Sequence, residues 1–306
     1  MYPLRLLRRV VSGVLSEGDI VRRQYQCGLR GRGKMPRSFS ILLLIGLFPV
    51  QAASAGLEEA IVLYLPFSEG EGVVVKDFSG KGNDGTVIGG EWTDGKSGGG
   101  MEFLAAGQYV EIPPTDSLNL SGAISITAWV KATFDSPPGS GHYGAFVVGS
   151  NTGFGEGADE GWGTESINFA YHTGGQLHTN TKHGGSWSSE LNIPVSYKAG
   201  EWHHVGLVLD GSKRSRTMFF DGEEVGTDSG YTPAVDLMWF VGHGHRGGAG
   251  GTEYLDGAID EVYILNQTLT AQEIADVRDG KLSEILLSVA AQGKLPILWG
   301  AIRSSP

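Results

Sequence analysis

The stretch that decides the fold is Tyr254-Leu-Asp-Gly-Ala-Ile-Asp-Glu-Val-Tyr-Ile-Leu-Asn-Gln-Thr-Leu-Thr-Ala-Gln-Glu-Ile274, a strand running into a short helix. From Gly257 to Leu265 both alternating faces are largely apolar. Ala258, Val262 and Ile264 fall on one, Ile259, Tyr263 and Leu265 on the other, as in a strand covered on two sides. Regular alternation puts Asp260 on the face of Val262 and Ile264, where a carboxylate needs a donor or a cation as partner. Thr270 stands three residues before Glu273, the spacing of a capping box, and Ile274 and Val277 give the helix one apolar face.

Working outward, the chain alternates short apolar or β-branched runs with turn clusters such as Gly70-Glu-Gly72 and Gly95-Lys-Ser-Gly-Gly-Gly100. Many short strands, frequent turns and one terminal helix are the pattern of an all-β antiparallel two-sheet sandwich, a jelly roll. Ile61, Leu63, Leu65 and Phe67 form one face of a first strand. Met101–Leu104 and Tyr109–Ile112 are expected to pair as a hairpin. Ile124, Ile126, Ala128 and Val130 alternate with Ser125, Thr127, Trp129 and Lys131, and Ile167, Phe169 and Tyr171 alternate with Asn168 and His172. A second hairpin joins Arg216–Phe220 to Glu223–Gly226 through Asp221-Gly222, a pair suited to positive φ.

Several motifs occur in an order that resembles laminin G-like domains of the concanavalin A-like jelly-roll superfamily. They are Leu63-Tyr-Leu-Pro-Phe-Ser-Glu-Gly70, Asp77-Phe-Ser-Gly-Lys-Gly-Asn-Asp-Gly85, Tyr109-Val-Glu-Ile-Pro113, Ile124-Ser-Ile-Thr-Ala-Trp-Val130, Glu201-Trp-His-His-Val205, Phe220-Asp-Gly-Glu223 and the opening stretch. The set covers roughly residues 58 to 278. It implies a fold and leaves the ligand open, since the superfamily hosts lectins, adhesion modules and glycosidases.

Residues 1–55 differ in character. They carry nine of the 23 basic residues and two of the 34 acidic ones. Ile41–Val50 is an apolar run well short of the roughly 20 residues that span a bilayer. It ends at Ala53-Ser54-Ala55, so residues 35–55 read as a secretory signal peptide and residues 1–34 as a surplus leader or misassigned start. By the resemblance, residues 56–279 read as the laminin G-like domain, and residues 280–306 as an apolar tail that, broken by Gly293, Lys294 and Pro296, is not expected to anchor in a membrane. The chain is thus expected to be secreted, to the periplasm, the cell surface or the medium. Beyond residue 55 the net charge is −18, which argues against nucleic acid as a partner. Cys27 is the sole cysteine and precedes the cleavage site, so the exported chain has no disulfide and no zinc thiolate.

Catalysis is disfavoured. Glucanases of the superfamily carry Glu-x-Asp-x-x-Glu on one strand, whereas the acidic cluster here, Glu156-Gly-Ala-Asp-Glu160 with Glu165, has different spacing and lies in a glycine-rich loop. His203 and His204 face opposite ways on a strand, while His243 and His245 share a face but lack a third ligand. Calcium is better motivated: the Asp77–Gly85 loop is rich in oxygen ligands, and the resemblance implies a structural Ca2+ tying the N-terminal segment to the last strand, with Asp77 and Asp260 as ligands. The competing reading gives Asp77 an Asx turn and Asp260 backbone N–H donors. For an extracellular glycan the aromatic and amide candidates are Trp129, with Asn168 and His172 on the same sheet surface, and the loop residues Tyr143, Trp162 and Trp187. The expected function is a non-catalytic extracellular module binding carbohydrate, or alternatively a surface protein. Packing against a neighbouring loop is the other reading of each tryptophan.

Overall fold

A computed structural model describes residues 56–136, 143–151, 163–243, 254–284 and 286. All lie in the compact unit spanning residues 49–306. In chain order the strands are β1 (Ile61–Leu65), β2 (Val74–Val75), β3 (Gly85–Ile88), β4 (Glu91–Asp94), β5 (Gly99–Phe103), β6 (Tyr109–Ile112) and β7 (Ala123–Ala132). Next come β8 (Tyr143–Ala145), β9 (Val147–Ser150), β10 (Ser166–His172), β11 (Gln176–His183), β12 (Ser186–Trp187) and β13 (Leu191–Pro194). The last are β14 (His203–Asp210), β15 (Ser215–Phe220), β16 (Glu223–Asp228), β17 (Met238–Val241) and β18 (Gly257–Leu265), followed by helix α1 (Ala271–Arg278).

The strands form two antiparallel sheets. One has eight strands in the order β16-β15-β14-β7-β18-β5-β4, with β1 also on β18; the other has ten in the order β12-β11-β10-β9-β17-β6-β3-β2, with β13 on β11 and β8 on β10. The core fills the space between them. Ile124, Ile126, Ala128 and Val130 of β7 are buried in one apolar cluster with Ile167, Phe169 and Tyr171 of β10. Full burial of one such side chain is worth about 1.5–3 kcal/mol, so this interior is the main source of stability for a domain without disulfides.

Alternation thus assigns the inward residues correctly, and irregularities account for the departures. In β18 the register shifts between Asp260 and Tyr263, where Glu261 adopts φ 51. This bulge inverts the pleat. Ile259, Val262 and Ile264 point into the core, and Asp260 falls instead on the outward face, opposite Trp129. A shift between Ile61 and Leu63 likewise turns Ile61 outward, beside Tyr64. Met101–Leu104 and Tyr109–Ile112 do not pair: β5 belongs to the eight-stranded sheet and β6 to the ten-stranded one, so their short connection crosses the edge of the sandwich.

The second hairpin forms as expected, with Asp221 at φ 49 and Gly222 at φ 85. Helix α1 begins with the full capping box: the Glu273 N–H donates to Thr270 Oγ1, and the Thr270 N–H donates to Glu273 Oε2 at 2.7 Å. Its buried residues Ile274 and Val277 pack with Val208, Phe219 and Leu265 on the outer face of the eight-stranded sheet. Leu282 is buried in that cluster, so the described start of the tail docks there; residues beyond 286 lie outside the described residues. Among the described residues no helix is long and apolar enough to cross a membrane.

Candidate functional site

With one face of β10 committed to the core, Asn168 and His172 stand on the outer face of the ten-stranded sheet. Strand register assembles their neighbours. Asn168 lies opposite Asn180, Ala170 opposite His178, His172 opposite both Gln176 and Tyr143, and His178 opposite Asn192. At the edge of the same face Trp187 pairs with Lys182, whose Nζ sits 5.2 Å from the indole centroid; Trp187 is 40% exposed. On the far side Tyr109, Met238 and Phe240 make a small apolar shelf.

The polar centre of this face is under-satisfied. Asn168 is buried, and neither its amide oxygen nor that of Asn180 has a hydrogen-bond partner. A buried acceptor left without a donor costs about 1–3 kcal/mol, so the Asn168 carbonyl favours any hydroxyl or N–H that reaches it. His178 is fully buried, and desolvation lowers its pKa, with Asn192 opposing the shift; the ring is neutral at pH 7. Its Nδ1 lies 2.7 Å from Asn192 Oδ1. The Asn192 amide is oriented by its Nδ2, which donates to Glu190 Oε2 at 3.1 Å, so Nδ1 of His178 is the protonated nitrogen. The rings of His172 and His178 stack at 5.3 Å and 27°.

Trp129 is not part of this surface. It projects from β7 on the outer face of the opposite sheet, half-buried, with Lys96 Nζ 4.2 Å above its ring and His204 edge-on at 5.4 Å. Alternation distinguishes inward from outward but not one sheet from the other. The expected grouping of Trp129 with Asn168 and His172 therefore fails, and the covering loop is the turn that carries Lys96. Tyr143 is placed by its backbone opposite His172, its side chain lying outside the described residues, as does Trp162. Glu156, Asp159, Glu160 and His245 also lie outside them. Glu165 is engaged structurally, receiving the Gly184 N–H at 2.7 Å on one oxygen and facing His183 Nδ1 at 2.9 Å with the other.

The two carboxylates expected at calcium are held by different segments. Asp77 accepts the N–H groups of Tyr64 (3.0 Å), Ser79 (2.9 Å) and Asn83 (2.9 Å) and the Ser79 hydroxyl (2.7 Å). Four donors use the acceptor positions of an ionised carboxylate, so this arrangement fits an Asx-turn clasp and does not fit a calcium ligand. Asp260 accepts from Ser97 N–H at 2.9 Å and Glu261 N–H at 2.7 Å. Burial, opposed by the Ser97 N–H and reinforced by the Glu261 charge, pushes its pKa up to about 7.

Sequence reasoning did not find His178, Asn180, Glu190 or Asn192. The available signal was the polar alternation of Gln176, His178, Asn180 and Lys182. It was obscured because two of the opposing inward positions are Thr179 and Thr181.

No curated protein matches the sequence. In overall structure the chain is similar to the binding domain of Paraclostridial Mosquitocidal Protein 1 (TM-score 0.57, 14% identity, 74% of this chain and 53% of that one). It is similar to Domain 4 of AbnA, a GH43 extracellular arabinanase from Geobacillus stearothermophilus solved with arabinotriose (0.54, 18%, 71% and 98%). It is also similar to the binding domain of botulinum neurotoxin DC in complex with rat synaptotagmin II (0.53, 14%, 73% and 52%). The chain spans about half the length of the toxin domains, and identities this low establish a shared fold only. Residues 104–275 match the laminin G family model of this architecture, and with two antiparallel sheets closed by a capped helix, the chain belongs to the concanavalin A-like lectin/glucanases superfamily.

Proposed function

We propose that this chain is an exported, non-catalytic module that binds a glycan on the outer face of its ten-stranded sheet. The observation that carries the reading is the Asn168 amide oxygen, which has no hydrogen-bond partner, on the face that Asn168 shares with its cross-strand neighbour Asn180. A sugar offers the matching chemistry, hydroxyl donors around the rim of an apolar ring, and the exposed Trp187 at the sheet edge provides a flat apolar partner for such a ring. The arabinotriose-bound neighbour supports the reading by showing that this fold accommodates an oligosaccharide.

The test is an array of plant and microbial oligosaccharides and polysaccharides, arabinan included, probed with the wild type and with Asn180→Ala, Trp187→Ala and Trp129→Ala. Loss of one well-placed hydrogen bond is worth about 1 kcal/mol or more, so Asn180→Ala is expected to weaken the best glycan about fivefold or more. Trp187→Ala weakens it further, and Trp129→Ala leaves it unchanged. Wild-type protein that binds a protein ligand and no glycan, or that releases reducing sugar, overturns the proposal.

A further inference from the structure

The same sheet brings three metal-ligating side chains together, His172, also a glycan candidate, with His178 and Glu190. His172 ends β10 and His178 lies diagonally across on β11, on the same face. Glu190 precedes β13 and shares the parity of Asn192, which pairs with His178. One ligand atom from each of His172, His178 and Glu190 lies within 4.8 Å of the others. We propose that these three residues form a site for a divalent first-row transition metal, with zinc as the representative ion.

The donor chemistry selects the ion. Two imidazoles and one carboxylate suit zinc and its neighbours in the series, while calcium and magnesium prefer oxygen alone. Ligands on tetrahedral zinc stand about 3.3 Å apart, so the set must close by roughly 1.5 Å. The exposed Glu190 supplies that movement most readily, because it is not fixed by packing.

The support behind the ligands is the second observation. Metal-bound histidines typically give their other N–H to a carbonyl or carboxylate oxygen, which fixes the tautomer. His178 does this already: Nδ1–H is taken by Asn192 Oδ1, leaving Nε2 as the lone-pair nitrogen. Asn192 also binds Glu190, so one amide connects two of the three ligands. Asn192 is accordingly a positioning residue.

The experiment is a zinc titration of the full chain, freed of metal by chelation, followed by calorimetry, with cobalt absorption reporting coordination geometry. A saturable one-to-one site is expected. Glu190→Gln and His172→Ala should each weaken it at least tenfold, and Asn192→Ala by about 10- to 100-fold. His183→Ala, an exposed histidine outside the set, should not change it. Melting curves of the metal-free variants establish that each is folded, and the exposed Glu190 position makes Glu190→Gln the decisive one. Absence of saturable zinc binding overturns the proposal, as does an affinity unchanged in both Glu190→Gln and His172→Ala. No glycan enters this experiment, so its failure leaves the proposed function standing.

Discussion

Replacing Arg216 by methionine removes the one fully buried guanidinium among the described residues while keeping much of the side-chain volume. Arg216 leaves β15 of the eight-stranded sheet and binds Asp228 through two nitrogens, Nε at 2.8 Å from Oδ1 and Nη2 against Oδ2. Its Nη1 donates to Ser189 O at 2.8 Å and Ser188 Oγ at 3.0 Å, both in the segment joining β12 and β13 of the other sheet. The residue therefore ties the sheets together as well as pairing a charge. Breaking a buried pair by removing one partner costs about 3–5 kcal/mol, and the partial exposure of Asp228 places this case near the lower end, at about 3 kcal/mol. For a domain of this size, that lowers the melting temperature by about 6–12 °C. Burial raises the Asp228 pKa, but the Arg216 hydrogen bond and the Gly230 N–H outweigh it and hold the carboxyl below its usual range. The associated stability is present above the unfolded-state pKa near 4 and is lost as pH falls through the lower folded value, so Arg216→Met should also flatten the acid limb. Thermal melts between pH 2 and 8 (roughly the range that brackets both pKa values) provide the assay. Arg216→Met/Asp228→Asn should recover part of the loss, because no unpaired charge remains. A melting point within about 2 °C of wild type, with an unchanged acid limb, would refute the reasoning.

Two further outcomes concern the carboxylates once expected to share a cation. Asp260, lifted to about 7, retains a proton in the folded chain that the unfolded chain releases near pH 4. Its contribution is full below about pH 4, declines as pH rises and is spent above about 7, amounting to about 4 kcal/mol at most. Asp260→Asn should remove this slope from melting curves recorded across that window; an unchanged slope sinks the assignment. Calcium should leave the melting temperature of metal-free protein unmoved, since the Asp77 oxygens already accept four donors. A saturable rise abolished by Asp260→Asn restores the shared site.

The parts legible in sequence were those in which local chemistry and tertiary packing agree. The β18 apolar run, the Thr270–Glu273 cap and the Asp221-Gly222 turn each have a residue signature tied to one conformation. The inversion at Asp260 had none: the bulge depends on Glu261 taking a left-handed backbone conformation, where glycine or asparagine is the usual marker. The Leu104–Gln108 connection has a length common in hairpins, and only the sandwich as a whole shows that it changes sheets. For the site, alternation exposed Asn168 and His172, but their partners arrive from β11 and β13, and strand pairing between separate segments is not encoded in either segment alone. The same limit misplaced Trp129, whose outward position was readable and whose sheet was not.

The most direct test of the glycan face is its footprint by nuclear magnetic resonance. Isotope-labelled protein is titrated with the glycan that binds best on the array. Saturating shifts should appear at the side-chain amides of Asn168 and Asn180 and at the Trp187 indole N–H, while the Trp129 indole, on the opposite sheet, stays fixed. A saturating footprint centred on Trp129, with Asn168 and Asn180 unmoved, would contradict the assignment of the ten-stranded sheet as the binding face.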